Sequence, residues 1–352
     1  MKRIILLFFW ILQAAMAAGQ ELSADKLIDM LSLSLPKLES QLLHKKYLYA
    51  GIEFSGDTAF NTYEPRPVGG KKNKQAEAVR RRFTRAVLKN TFTLTYHTSS
   101  VNEYNDFIAE LKKKGFYCEY EKDKTVSSYL YQFRNYTADV SIKKAEDLTW
   151  YSFTFYKKLL PPPSELKFAD DLLQFTSHEY LVLYFGANNV KRDLYYFGGE
   201  DIVKCSILFM NTNRQVIFIW KDNVNSRKIN NLLIGGRHKL KSQQINAKSV
   251  EDNSWWLKSG IRAGMSLSEL RTLNNKNIAF CGGDAPNPGL VLPESSSRID
   301  FKNKDVILGC TKCDDDKFLH AKIMSADKAM AEGRNFFILT IALYPVESGL
   351  FE

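Results

Sequence analysis

Apolar residues along this chain recur at two spacings, and the alternation between those spacings is its main structural signal. In "VNEYNDFIAELKKKG" (101–115), Tyr104, Phe107, Ile108 and Leu111 fall at offsets of 3, 4 and 7, one face of an amphipathic helix. Gly115 stands where such a helix ends. Past the glycine the spacing drops to two. Phe116, Cys118 and Tyr120 alternate with polar residues, followed by Tyr129, Tyr131 and Phe133, by Val140 and Ile142, and by Tyr151, Phe153 and Phe155. This pattern predicts a helix followed by an antiparallel meander with one buried face. The earlier "LPKLESQLLHKKYLYAGIEFSGDTAFNTYE" (35–64) has the same order, with Leu38, Leu42 and Leu43 as the helix stripe. Residues 21–160 therefore read as two degenerate helix-plus-strands units. The basic segment 71–89 between them is expected to be a solvated loop entering a helix.

The second half continues the theme. "TSHEYLVLYFG" (176–186) opens on Thr or Ser as a helix N-cap and ends at Gly186. "LYYF", "VKCSILFM" and "QVIFIW" follow as strands, with Asn213 in a turn between the last two. Ser266 and Glu269 form the S-x-x-E capping box of a short helix bearing Leu267, Leu270 and Leu273. "NFFILTIALYP" (335–345) reads as a closing strand. Between the halves lies "LLPPPSEL" (159–166), whose consecutive prolines can continue neither a helix nor a central strand. The expected organisation is an N-terminal α+β domain (19–160), a proline-rich linker (161–165) and a C-terminal α+β domain (166–352).

The first residues, "MKRIILLFFWILQAAMAAGQE", carry Lys2 and Arg3, an apolar run from Ile4 to Leu12, and small residues ending "AMA". That is the pattern of a secretory signal peptide spanning 1–18, with cleavage after Ala17 or Ala18. Gln13 cuts the run well short of the roughly 20 apolar residues a spanning helix needs. The mature protein is thus expected to be soluble, periplasmic or secreted, and not membrane-spanning. Charged residues at 25% and hydrophobic residues at 45% describe a globular chain. Removing the leader takes two of the 49 basic residues and none of the 39 acidic ones, leaving a net charge of +8. In an exported protein that balance points to acidic partners or anionic lipid rather than nucleic acid.

No motif forms an identifiable active site. The glycine pairs in "FGGE" and "IGGR" lack phosphate-loop spacing, and neither G-x-S-x-G nor H-E-x-x-H occurs. The dispersed histidines His44, His97, His178, His238 and His320 read as surface or hydrogen-bonded residues. No metal or cofactor is expected. Trp255 and Trp256 are adjacent, so on a strand one ring fills the core while the other is accessible as a protein or sugar contact. Packing of both in the core is the ordinary expectation. Arg80, Arg81, Arg82 and Arg85 are the binding candidates of the basic segment. Cys118 and Cys205 fall in phase with apolar strand faces and read as core residues. Cys281, Cys310 and Cys313 sit at strand ends, and export allows disulfides. "CTKC" (310–313) reads as a structural staple, either Cys310–Cys313 or one of the two with Cys281. A redox pair is disfavoured because the aspartates after Cys313 raise thiol pKa.

The segment "WWLKSGIRAGMSLSELRTLNNKN", with "VIFIWKD" preceding it, resembles a group of uncharacterised exported proteins of Gram-negative bacteria carrying a WKD…GIxxGMSLxELxxLN pattern. That resemblance covers about residues 170–310 and implies no particular activity. In related chains the segment after the helix is rich in aromatics and glycine, whereas here it is "FCGGDAPNPGLVL". The capped helix followed by strands is also similar to the helix–hairpin unit of the beta-lactamase-inhibitor-like fold. The small lipoproteins of outer-membrane assembly share that unit, and such proteins bind other proteins and catalyse nothing. The expectation is an exported, non-enzymatic binder of a protein, peptide or envelope component. Two alternatives stand beside it: a thiol–disulfide protein using Cys310 and Cys313, and a basic surface binding anionic polymer or lipid through 71–89.

Overall fold

The computed structural model describes residues 23–66, 79–88, 91–123, 128–133, 135–145, 148–158, 160–197, 202–235, 250, 252–311, 313 and 320–345. The leader at 1–18, basic residues 71–78 and the aspartates 314–316 lie outside the described residues. The chain divides into two compact units, Met1–Leu159 and Leu160–Glu352, each with an antiparallel sheet of its own. The fold is α+β.

In the first unit, helices α1 (Ala24–Leu31) and α2 (Leu35–His44) precede strands β1 (Tyr47–Ser55), β2 (Thr58–Pro65), β3 (Arg81–Leu88) and β4 (Thr91–Thr98). Helix α3 (Val101–Lys113) precedes β5 (Tyr117–Asp123), β6 (Ser128–Phe133), β7 (Tyr136–Ala145) and β8 (Leu148–Lys157). The eight strands run in the order β1-β2-β3-β4-β8-β7-β6-β5. Ser23 and Ser100 cap α1 and α3, accepting from the backbone N–H of Lys26 and Glu103. Lys112 and Lys113 complement the carboxyl end of α3. On one sheet face, register sets Tyr63, Phe83, Tyr96, Phe153 and Val140 side by side. Leu27, Leu38, Leu42, Phe107 and Leu111 of the three helices close over that row. Burying each such side chain contributes about 1.5–3 kcal/mol.

Three expectations need correction here. Residues 81–88 of the basic segment do not enter a helix. They form β3, an interior strand, because Phe83 supplies a core position and Arg81 and Arg82 pair with Glu103 and Glu53. Leu43, assigned to the α2 stripe, is exposed, since it lies a residue past the buried Leu42 on the last turn. Cys118 is exposed rather than buried. It keeps the phase of Phe116 and lies opposite the buried Tyr131, but it sits on β5, the last strand of the sheet, where no further described strand flanks it.

In the second unit a 3₁₀ turn (Ala169–Gln174) leads into α4 (His178–Phe185), capped by Ser177 and ended by Gly186 at φ 86°. Strands β9 (Val190–Tyr196), β10 (Ile202–Leu208), β11 (Val216–Asp222) and β12 (Arg227–Gly235) form a meander. Helix α5 (Leu267–Asn274) then leads to β13 (Ala279–Cys281), β14 (Lys304–Cys310), β15 (Ile323–Ser325), α6 (Ala326–Ala331) and β16 (Phe336–Leu343). The capping box closes as expected, Ser266 accepting from Glu269 N–H and Glu269 accepting from Ser266 N–H. The simple helix-then-meander order stops there. Strand β16 inserts between β12 and β14, and β13 leaves the sheet to pair with β15. The unbroken apolar run "VIFIW" is explained by burial on both faces of β11, where Phe218 and Ile217 are equally enclosed.

Candidate functional site

The loop carrying the tryptophan pair is fastened by Asn253. Its Nδ2 donates to the carbonyls of Gln215 at 3.0 Å and Gly235 at 2.6 Å, while its Oδ1 accepts from Trp255 N–H at 3.0 Å. That places the Trp255 ring inside the unit, 2% exposed, with Nε1 donating to the Arg214 carbonyl at 2.9 Å. Trp256 turns the other way. Its backbone pairs with Phe168 in a parallel bridge, and Ala169 N–H donates to its carbonyl at 2.8 Å. The rings of Trp256 and Phe168 are 42% and 38% exposed. The pair therefore splits between core and surface instead of packing wholly inside.

The glycines of "SGIRAGM" hold this loop in place. Gly260 and Gly264 adopt φ 82° and 89°, and a Cβ on Gly264 would lie 2.1 Å from Asp252 Oδ1. The tight return brings Arg262 back over the surface, its guanidinium 5.2 Å above the Trp256 ring and 2.7 Å from Asp252 Oδ1. Lys258 N–H donates to Asp170 Oδ2 at 2.7 Å, and Lys258 Nζ pairs with Asp171 at 2.7 Å. The Asp171 hydrogen bond raises the pKa of this lysine. Arg262 and Lys258 beside the patch are thus each paired with an aspartate. What the patch presents is aromatic surface with a polar rim, the composition of a contact hot spot.

The arginine candidates belong to the first unit, where three of the four are engaged. Arg81 pairs with Glu103, which also accepts from Tyr96 Oη and Thr98 Oγ1 at 2.7 Å each. Despite burial, those hydrogen bonds hold Glu103 below the usual carboxylate range. Arg82 pairs with Glu53 at 2.9 Å. Arg85 is buried, stacked 4.0 Å over the Phe92 ring, and burial pushes its pKa down to about 9. Arg80 is exposed just before β3.

Cys310 and Cys313 form a disulfide, both sulfurs enclosed at 0% and 1% exposure. Cys281 is a separate, half-buried thiol whose pKa is raised by burial. Cys205 is buried on its strand face. Among the described residues, no three His, Cys, Asp or Glu side chains converge as a metal site. No described helix is long and apolar enough to cross a membrane.

Two polar clusters escaped the sequence reading. On the sheet face opposite α1–α3, His97 Nδ1 lies 2.8 Å from Ser152 Oγ and its Nε2 3.3 Å from Thr84 Oγ1. Burial, reinforced by Arg82 and Lys143, pushes the His97 pKa down to about 4. Beside it, Thr62 Oγ1 and Arg82 Nε are buried without a hydrogen-bond partner. The only hint in the sequence is the Thr alternation of "TFTLTYHT", which puts hydroxyls on one face. In the second unit, Ser206 Oγ lies 2.9 Å from both His178 Nδ1 and Trp220 Nε1. Ser206 is wholly buried, so this trio locks a core rather than meeting a substrate. Compared with family models, curated proteins and solved structures, the chain matches none.

Proposed function

We propose that this chain is an exported, non-enzymatic binding protein of the periplasm or extracellular space, and that Trp256, Phe168 and Arg262 form its contact surface for a protein or peptide. The observation that carries the reading is the exposed aromatic pair, held rigidly by backbone hydrogen bonds and topped by a stacked guanidinium. Trp and Arg are the residue types that concentrate binding energy at interfaces, and a fixed backbone lowers the entropy lost on docking. Export rests on the leader "MKRIILLFFWILQAAMAAG".

The first unit adds support through its element order. A helical segment and four strands are followed by a second helix and four more, with β4 and β8 adjacent at the centre. This order suits a reading as two repeats of the helix–strand unit seen in beta-lactamase-inhibitor-like proteins, whose members bind proteins. The thiol–disulfide alternative is disfavoured because neither Cys310 nor Cys313 is accessible to a substrate. The basic-surface alternative is weakened because Arg81, Arg82 and Arg85 are engaged internally.

A photo-crosslinking residue at Phe168, in the protein expressed in its own cells, tests the proposal against the same residue at Val224, an exposed control at 78%. The expected result is a discrete adduct from position 168 that is absent from 224 and lost on Trp256→Ala. Identical adducts from both positions, or none from 168, would overturn it.

A further inference from the structure

We infer that Arg214 is a carboxylate-binding site, and that the peptide or protein docking at Trp256 and Phe168 is acidic, placing an Asp or Glu side chain on this guanidinium. That the ligand is a peptide rests on the reading of those rings as a contact surface; the carboxylate goes beyond it. Arg214 lies in the turn between β10 and β11, and this turn is laced to the tryptophan loop. The carbonyls of three consecutive residues, Asn213, Arg214 and Gln215, accept from Ser254 N–H at 2.8 Å, Trp255 Nε1 at 2.9 Å and Asn253 Nδ2 at 3.0 Å. Trp255 is enclosed beneath the guanidinium, while the next residue, Trp256, meets solvent. One short stretch of backbone therefore fixes both contacts.

The Arg214 guanidinium lies over two aromatic rings, 4.6 Å from the Phe209 centroid and 4.9 Å from that of Trp255. Its backbone N–H donates to Thr212 Oγ1 at 3.1 Å. Side chain and backbone are thus both fixed in advance, which lowers the entropy lost when a ligand binds. What the guanidinium lacks is a counter-charge. Arg262 and Lys258 each have an aspartate, whereas the Arg214 side chain makes no hydrogen bond or ion pair among the described residues. Burial alone holds its pKa below the ordinary value, with no contribution from a neighbouring carboxylate or from a second cation. The side chain is half-buried, and its N–H donors reach solvent. A planar guanidinium takes a carboxylate through two parallel hydrogen bonds. One positive charge with no other beside it matches one negative charge, whereas phosphate groups are held by arginine clusters. The net positive charge of the chain favours approach of an acidic partner.

Short random peptides displayed on phage, selected on the immobilised exported chain, test the inference. The expected result is a selected pool enriched in Asp and Glu over the input library, alongside apolar or aromatic positions. A peptide from that pool should lose about tenfold or more in affinity on Arg214→Gln, the worth of a hydrogen bond to a charged group. Arg214→Lys keeps the charge and most of the packing, and is expected to recover part of the loss. A pool without acidic enrichment, or an affinity indifferent to Arg214→Gln, would overturn the inference. So would a loss that Arg214→Lys does not partly restore, since that marks a packing defect. Trp256→Ala separates the two readings. If it abolishes binding while Arg214→Gln does not, the rings are the contact and the carboxylate site is wrong. The reverse result leaves the carboxylate site standing and removes the rings from the contact. Selection of no peptide at all overturns both.

Discussion

Arg85 occupies a place where a charge is expensive, and the cost can be worked out. Its row across the sheet reads Asn61, Arg85, Leu94, Phe155 and Ala138, so the guanidinium stands among core side chains under the α1–α2 junction. Among the described residues, Nη1 has no hydrogen-bond partner and Nη2 reaches the Leu33 carbonyl at 3.5 Å. Each pKa unit is worth about 1.4 kcal/mol, so the drop from the ordinary 12.5 to about 9 implies a charge penalty of about 5 kcal/mol. Stacking on Phe92 returns about 1–2 kcal/mol of that. Arg85→Met keeps an apolar stem against Phe92 and removes the charge. The expected outcome is a first unit stabilised by about 1–4 kcal/mol at pH 7, as when buried ionic groups give way to apolar ones of similar volume. Urea unfolding followed by circular dichroism measures this as a higher midpoint at an unchanged slope. The sign with pH is fixed as well. A folded-state pKa below the unfolded one means the penalty is complete below pH 9 and fades as pH rises through 9 towards 12.5. The advantage of methionine should therefore shrink in alkali. If Arg85→Met instead lowers the midpoint at pH 7, the guanidinium is well satisfied where it lies and the reasoning fails.

His97 has a folded pKa near 4 against an ordinary 6.5, so its contribution is present above pH 6.5 and is lost as pH falls from 6.5 to 4. That loss is up to about 3 kcal/mol, and His97→Gln should flatten it in unfolding measurements across the window. Glu103→Gln leaves donors from Arg81, Tyr96 and Thr98 around a side chain with a single acceptor oxygen. A loss of about 2–4 kcal/mol is expected in chemical denaturation, and one under about 0.5 kcal/mol would show the cluster to be loosely held. Replacing Cys310 and Cys313 by alanine opens a very short loop, which should lower the stability of the second unit by about 2 kcal/mol. The Phe168 crosslink should survive that change, whereas a redox role would predict its loss with little change in melting temperature.

What could be read from the sequence is what local spacing controls. Tyr104, Phe107, Ile108 and Leu111 did form the packed stripe of α3, and Tyr131, Val140, Phe153 and Phe155 did fall on one buried sheet face. The Ser266–Glu269 box also closed as expected. Strand β3 was hidden because charges stand at Arg81 and Arg85, positions that a strand pattern reserves for apolar residues. Arg81 is matched by Glu103, 22 residues away, while Arg85, reaching towards the Leu33 carbonyl 52 residues back, is carried at a cost. Such separations leave no trace in a short window. Cys118 differs for a related reason: its phase is that of the core face, opposite Tyr131, but β5 is an edge strand, and a strand's place in the sheet is not written in its own residues.

The candidate site was half legible on the same grounds. That adjacent tryptophans face opposite ways follows from strand geometry alone, and Trp255 and Trp256 do so. Which one meets solvent depends on Asn253, whose carbonyl partners at Gln215 and Gly235 lie 38 and 18 residues back. The second ring of the patch, Phe168, comes from beyond the whole β9–β12 meander. The Cys310–Cys313 disulfide is one of the two pairings the sequence offered, while the arginines differ from the solvated loop expected of them. A C-x-x-C pair and an arginine cluster acquire their chemistry from solvent access, and the fold encloses the first and engages most of the second. Of the exposed rings proposed as a contact surface, Trp256 stood in a segment already singled out, whereas Phe168 belongs to no motif. They are apolar groups on exposed backbone, and their exposure is a consequence of topology rather than of any residue's neighbours in sequence.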